Sequence, residues 1–286
     1  DSTGTTQFKV LPSVDGYVEN QILRDRSLYQ RTLYGNRLFT DFYHRHFGIE
    51  DDNPDAPHLN WFPPTEQLGK IRVGWNYGMA NHSPAGLRLG QIWYGRRILP
   101  NWYPKRWSTP APERPVPCSC RIGSSYERNT IAFPRRRILE CVKGRMGFER
   151  VTRRQYFREL RDSTAAISPF GFGEVCYRDF EAIICGAAMV KQDMSHLETW
   201  PDLWIKDRTY WSLSWDLSDL DEKLQYVLDH PARMVEIATR AQRRYRRLLE
   251  TEEGHQEFCT RFKAILNGRE RVLEPEAPQP VAGSVS

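Results

Sequence analysis

No window of the 286-residue chain approaches the ~18 uninterrupted apolar residues of a membrane-spanning helix, so no segment is expected to cross a bilayer as a helix. The opening, DSTGTTQFKV, lacks a starting Met and the charged-then-apolar pattern of a secretion signal, and the chain is expected to begin inside a longer protein. Cysteine is sparse. The six residues Cys118, Cys120, Cys141, Cys176, Cys185 and Cys259 form no CxxC pair and show no ligand spacing to a histidine, so no zinc site is expected. They read as reduced, small core residues of an intracellular protein. There is no internal repeat, no zinc-finger spacing and no RNP-like motif. Nor is the apolar content low: 40% hydrophobic and 12% aromatic residues describe a globular chain with material for one large domain or two ordinary ones.

Charge is present in modest excess. Lys plus Arg number 41 against 36 Asp plus Glu, a net +5, and the arginines cluster at Arg135–Arg137, Arg153–Arg154, Arg243–Arg244 and Arg246–Arg247. Such a surface suits phosphate-bearing small molecules, an anionic membrane or nucleic acid, and equally the solvated faces of helices.

Along the chain, composition changes at 98–117, where ILPNWYPKRWSTPAPERPVP holds six prolines. Proline fits neither a helix interior nor a central strand, so an interdomain connection is expected there. This gives an N-terminal domain over 1–105, a second over 106–270 and a Pro-rich, disordered tail over 271–286. In the first, Val14 to Tyr29 has helical spacing through Val18, Ile22 and Leu23, and Ile71–Tyr77 reads as a strand. The stretch 50–64 reads as loop.

The second part alternates. A strand at Val116–Ile122 puts Cys118 and Cys120 on one face, and helix follows over Arg135–Lys143. A short strand is expected at Gly147–Val151. Thr152 caps a helix through Tyr156 and Leu160, and Ala165–Ile167 is a buried strand. A helix over about 174–185 and a strand at Ala187–Val190 come next. Asp219 opens a further helix with Leu220, Leu224, Val227 and Leu228 on its apolar face. From Pro231 to Glu250, Met234, Ala238, Ala241, Tyr245 and Leu248 step by 4, 3, 4 and 3 along one helical face. Strands alternating with helices imply a parallel sheet covered on both sides, with ligands at the carboxyl ends of its strands.

Three loops fall at that edge: Gly123-Ser124-Ser125-Tyr126 beside Arg121, Ser168 to Glu174 containing Gly171-Phe172-Gly173, and Lys191 to His196. Glycines ahead of a helix let backbone N–H groups approach a phosphate, although a simple turn is as good a reading of a lone GxG. In EVCYRDFEAIICGA, Glu174, Arg178, Glu181 and Cys185 would share a helical face. A carboxylate there can accept hydrogen bonds from two sugar hydroxyls, or belong to an ordinary Glu174–Arg178–Glu181 ion-pair ladder.

The run from Tyr156 to Pro201 resembles the donor half of GT-B glycosyltransferases, most of all the "glycosyl transferases group 1" type, with a distant likeness to the exostosin-type domain. The likeness rests on Gly171 and Gly173, on Glu181-Ala182 with Gly186, and on Val190 with Asp193, and it extends over Pro117 to Asn267. It implies an α/β fold of two Rossmann-like domains, the first truncated or irregular, the second a parallel sheet with helices on both faces. It also implies transfer of a sugar from a nucleoside-diphosphate sugar to a glycan or glycolipid acceptor, without a metal and with no cofactor beyond the donor. Glu181 would hold the ribose hydroxyls and Gly171 and Gly173 the diphosphate. Arg121, Gly123 and Arg178 would touch phosphate or sugar, and Glu174 the transferred sugar; His196 is a further candidate for the donor sugar, with a loop hydrogen bond as the competing reading. Many retaining members separate their two glutamates by seven residues; Glu174 and Glu181 are separated by six, which leaves the stereochemistry open.

An inverting enzyme needs a base, sought in the first domain at Asp15, His44 or His46, with Asn76 and His82 as acceptor contacts. The structural readings, Asp15 as a helix cap and the histidines as surface residues in an aromatic segment, are the stronger ones. Such a protein is expected in the cytoplasm, with peripheral contact at the inner face of an anionic membrane and no nucleic-acid partner. A sugar-nucleotide epimerase of the same architecture and a non-catalytic basic module for nucleic acid or membrane are the alternatives.

Overall fold

The computed structural model describes residues 6–52, 62–79 and 107–268. At its centre four parallel strands lie in the order β4 (Val116–Ser119), β5 (Ser163–Ile167), β6 (Ala188–Gln192) and β8 (Trp211–Leu213). Every residue of β5 and β6 is buried. Strands covered on both faces need largely apolar runs; Ala165–Ile167 and Ala188–Val190 supply them, and the charged exception among the buried polar residues at the strand ends is Lys191.

The alternation along each strand sorts the helices. Cys118, Cys120, Ala165, Ile167, Ala188 and Val190 face α2 (Asn129–Val142), α5 (Leu220–Asp229) and the first half of α6 (Pro231–Glu250). Ala166 faces the opposite side, against Phe157 and Leu160 of α3 (Arg153–Arg161) and Ala182 of α4 (Tyr177–Ile184). The result is a mixed α/β, Rossmann-like sheet with helices on both faces. Thr152 caps α3 in a reciprocal box with Gln155, and Pro231 opens α6. A last helix, α7 (Glu252–Leu266), is capped by Thr251.

The N-terminal part is irregular. It holds three-residue strands, short 3-10 turns and α1 (Leu38–Phe47). The helix expected over 14–29 is instead β1 (Tyr17–Glu19), paired parallel to β3 (Ile71–Val73), and β2 (Gln21–Leu23), paired antiparallel to β7 (Leu197–Thr199). Helical spacing misled because all three residues of β2 are buried, so Ile22 and Leu23 count as neighbours on an apolar face that Val18, 44% exposed, does not share.

Two other expectations change. No strand forms at 147–151, where Arg121 Nη1 takes the Glu149 carbonyl at 2.9 Å. The helix expected from 174 begins at Tyr177, since the Asp179 carboxylate accepts the Cys176 N–H at 3.1 Å and fixes the helix start there. All six thiols are unpaired; Cys118, Cys120 and Cys185 are buried, while Cys259 is exposed on α7 and is no core residue. Residues 98–106 of the Pro-rich connection, His82 and the tail 271–286 lie outside the described residues.

N-terminal residues sit against the loops at the carboxyl edge. Phe39 and Tyr43 of α1 pack with Phe170, and Gln21, Arg24 and Asn76 bond to the segments after β5 and β6.

Candidate functional site

Because the four strands run the same way, the loops after β4, β5 and β6 meet at one edge. The 168–176 loop is anchored from beneath. Lys191 and Asp179 are both wholly buried and paired at 3.1 Å. Lys191 Nζ also donates to the Ser168 carbonyl at 3.0 Å, and Asp179 accepts the Ser168 hydroxyl at 2.5 Å and the Cys176 N–H. Both ends of the loop are thus tied to one carboxylate. A buried ion pair need not stabilise a fold relative to apolar residues, but losing one partner strands a charge. The sequence reading gave neither residue a role and put Lys191 in the loop after the strand, whereas β6 runs on through Lys191 to Gln192; the signal was a lysine directly following an apolar run.

Above this anchor the loop tip is open. Gly171 N–H donates to the Gly173 carbonyl at 3.0 Å and is therefore committed within the loop. The N–H groups of Phe172 and Gly173 donate to no described residue, and Phe172 is 59% exposed.

Around the tip stand arginines of different kinds. Arg121 is committed to Glu159, with Nε at 3.0 and 2.9 Å from the two carboxylate oxygens and Nη2 at 2.6 Å. That bidentate partner neutralises it. Arg135 of α2 is only 3% exposed, yet it makes no ion pair with a carboxylate among the described residues. It donates to main-chain oxygens of both loops, Nε to Gly123 at 2.5 Å and Nη1 to Phe170 at 2.7 Å and Pro169 at 3.3 Å, and lies over the Tyr126 ring at 5.0 Å. Burial pushes its guanidinium below its ordinary pKa; Tyr126 offsets this in part and the charge of Arg178 adds to it. It stays charged at neutral pH.

Arg178, in the first turn of α4, donates from Nη2 to the Arg121 carbonyl at 2.9 Å, and its buried Nε has no partner. Burial opposes its charge, but Tyr156, Cys176, Glu181 and Asp179 outweigh that and raise its pKa. The sequence reading placed Arg135 only within a basic cluster.

Glu181 lies one turn further along α4, 7% exposed, and accepts the Tyr156 hydroxyl at 2.9 Å and Arg153 Nη2 at 3.4 Å. Burial and the neighbouring Glu181 hold Tyr156 well above the usual phenol range, so it remains a donor. The Glu174–Arg178–Glu181 ladder does not form. Glu174 sits in the loop ahead of α4, fully buried, with Gln21 Nε2 at 2.8 Å and His196 Nε2 at 3.7 Å.

The other expected residues stand elsewhere. Gly123 is exposed, and a Cβ built there meets nothing within 4 Å. Asp15 is exposed two residues before β1, at the opposite end of that strand from Gln21, with its carbonyl toward Arg72. His44 stacks on Tyr34 at 3.8 Å with Nδ1 at 2.8 Å from the Ile49 carbonyl, and His46 stacks on Phe42. Asn76 is buried and donates to Thr199 and Pro201. Neither Asp15 nor His44 is brought to the 168–176 loop.

Among the described residues no group of three His, Cys, Asp or Glu is arranged to hold a metal ion, and no helix is long and apolar enough to cross a membrane. On α6, Arg233, Arg240, Arg246 and Arg247 are ion-paired with Glu236, Glu250 or Glu257. Much of that basic stripe is therefore neutralised.

A parallel sheet with helices on both faces, whose carboxyl edge carries an open loop, a helix start and two buried guanidiniums without a carboxylate ion pair among the described residues, defines an α/β domain of the Rossmann-like class. Residues 119–259 match the model of the glycosyl transferase-like family, and the parallel sheet in this stretch is consistent with a GT-B-like glycosyl transferase domain. No curated protein and no solved structure matches the chain.

Proposed function

We propose that the chain transfers a sugar from a nucleoside-diphosphate sugar to a glycan or glycolipid acceptor, with the donor at the carboxyl edge of β4 and β5. The observation that carries this reading is the pair Arg135 and Arg178, two guanidiniums close enough to repel and without a carboxylate ion pair. A dianionic group between the loops would pair with both guanidiniums and relieve their repulsion. The N–H groups of Phe172 and Gly173 and the start of α4 would add donors to the same anion.

Breaking the bond from sugar to diphosphate builds negative charge on the leaving oxygen. Fixed cations and oriented N–H groups in a water-poor site stabilise that charge as it develops. Arg135 takes the role expected of Arg121, which Glu159 occupies. Glu181, oriented by Tyr156 and Arg153, would accept the ribose hydroxyls, and Gly123 leaves room beside the phosphates. Transfer to a membrane glycolipid by a peripherally bound, cytoplasmic chain is compatible with the net charge of +5.

Thermal-shift binding of UDP, GDP, CMP and dTDP, with ATP as control, tests the donor site. One diphosphate is expected to raise Tm selectively, and Glu181→Ala is expected to abolish the shift while the chain stays folded. Wild-type affinity in a folded Glu181→Ala variant would remove Glu181 from the ribose. Steeply salt-sensitive retention on nucleic acid, with no shift from any nucleotide, would favour the basic-module alternative.

A further inference from the structure

Both ring nitrogens of His196 are shut off from solvent and make no hydrogen bond among the described residues. Buried polar atoms are ordinarily satisfied, so a histidine that satisfies neither nitrogen calls for an explanation. Its ring is firmly placed nonetheless. Trp215 stands edge-on at 4.7 Å between centroids and Phe170 at 6.3 Å, and Trp215 is pinned by its Nε1 on the Asp193 carbonyl at 2.8 Å. The surrounding main chain is clamped by the N-terminal segment. Arg24 N–H donates to the His196 carbonyl at 2.8 Å, and its guanidinium to the carbonyls of Ser195 and Leu197. Glu174 lies 3.7 Å from Nε2, and its other oxygen is held by Gln21. Nδ1 is the nitrogen with no carboxylate beside it.

Resting on the transferase reading above, we propose that His196 is the base for the attacking hydroxyl, with Glu174 orienting the imidazole. The acceptor oxygen bonds to the anomeric carbon as the bond from that carbon to the diphosphate oxygen breaks. The electron pair of the broken bond leaves on the diphosphate, toward Arg135 and Arg178. The hydroxyl proton passes to Nδ1, while Nε2 keeps its proton toward Glu174. The carboxylate stabilises the imidazolium so formed and is not itself protonated. A single displacement of this kind inverts the anomeric centre. Since solvent reaches neither nitrogen, acceptor binding has to open this corner. The first hundred residues, where the base was expected, would then contribute the clamp on His196, through Arg24 and Gln21.

The test uses the full chain and release of nucleoside diphosphate from UDP-glucose, UDP-N-acetylglucosamine and GDP-mannose, with water or added sugar as acceptor. His196→Ala is expected to bind the free diphosphate within about two-fold of wild type and to lose on the order of a hundred-fold in turnover. Added imidazole should restore part of that loss, whereas His196→Gln, which keeps size and polarity, stays slow. Unchanged turnover in His196→Ala, loss that imidazole does not relieve, or a product of retained configuration would each overturn the base assignment. A wild-type chain that binds no diphosphate overturns the donor-site reading itself, and one that binds yet releases none from any donor overturns the base.

Discussion

The strands of the central sheet and those of the N-terminal part bury themselves in different ways. β5 and β6 are five residues long, buried throughout and covered on both faces by helices of the same stretch of chain. β1, β2 and β3 have three residues each, and the N-terminal cluster of Phe8, Leu11, Ile22, Ile71 and Val73 closes only with Trp200 and Leu248 from the later part. Two-stranded pairings of three residues are marginal alone, so the N-terminal part depends on the sheet region it docks against. The sheet region builds the site; the N-terminal region steadies its loops. Substitutions in the two should therefore separate, the first acting on global stability and the second on the site.

The largest effect is expected at the anchor. Asp179→Ala leaves Lys191 charged and buried without its partner, and should cost about 3–5 kcal/mol in urea unfolding. Lys191→Met with Asp179→Ala should recover much of that loss; an equally unstable double variant would show that the pair is not the cause.

Next comes Gly186, whose φ is +73° and where a Cβ would stand 2.3 Å from the Ser108 carbonyl oxygen. Left-handed backbone and a main-chain clash together should make Gly186→Ala about 2 kcal/mol or more less stable. A wild-type Tm there would mean that the 107–110 segment gives way freely.

Gln21→Ala removes the donor to Glu174 and the acceptor of the Val175 N–H. It should leave the urea-unfolding free energy close to wild type while local opening at 170–176 and 194–197 becomes about 1–2 kcal/mol easier, so hydrogen exchange accelerates there and not in β5. Uniform acceleration would erase the contrast between the regions.

The smallest effect is at Lys206, largely exposed beside Asp193. Burial raises the Asp193 carboxyl, but the hydrogen bonds from Lys206 and Ser195 outweigh it and hold the group below its ordinary pKa. The stabilisation is present above the unfolded value of about 4 and is lost as pH falls through the depressed folded value. Lys206→Ala should thus cost about 0.5 kcal/mol at pH 7, with the difference from wild type disappearing in acid. A gap that persists in acid would assign the effect to packing.

Much of the sheet was legible because its signals are local. The α6 face read from Met234 to Leu248, the Thr152 cap and the alternation around Cys118 and Cys120 were each followed by the structure. The glycine loop and Glu181, singled out by their motif, both stand at the carboxyl edge, where donor binding is their proposed role. What the sequence could not show was which charges neutralise which. Arg121 and Arg135 look alike in the chain, and only the fold brings Glu159, 38 residues away, onto the first and only carbonyl oxygens onto the second. Glu174 left the expected helical stripe for a similar reason, since a side-chain cap three residues back from Asp179 decides where α4 starts.

The central claim is that Arg135, and not Arg121, faces the donor diphosphate. Isothermal titration of the nucleoside diphosphate selected by thermal shift, against wild type, Arg121→Met and Arg135→Met, tests it directly. Losing a charged hydrogen bond to phosphate is worth about 2 kcal/mol, so Arg135→Met should bind roughly thirty-fold more weakly. Arg121→Met should lose thermal stability but keep its affinity. The opposite order, with Arg135→Met binding like wild type and Arg121→Met failing, would contradict the account.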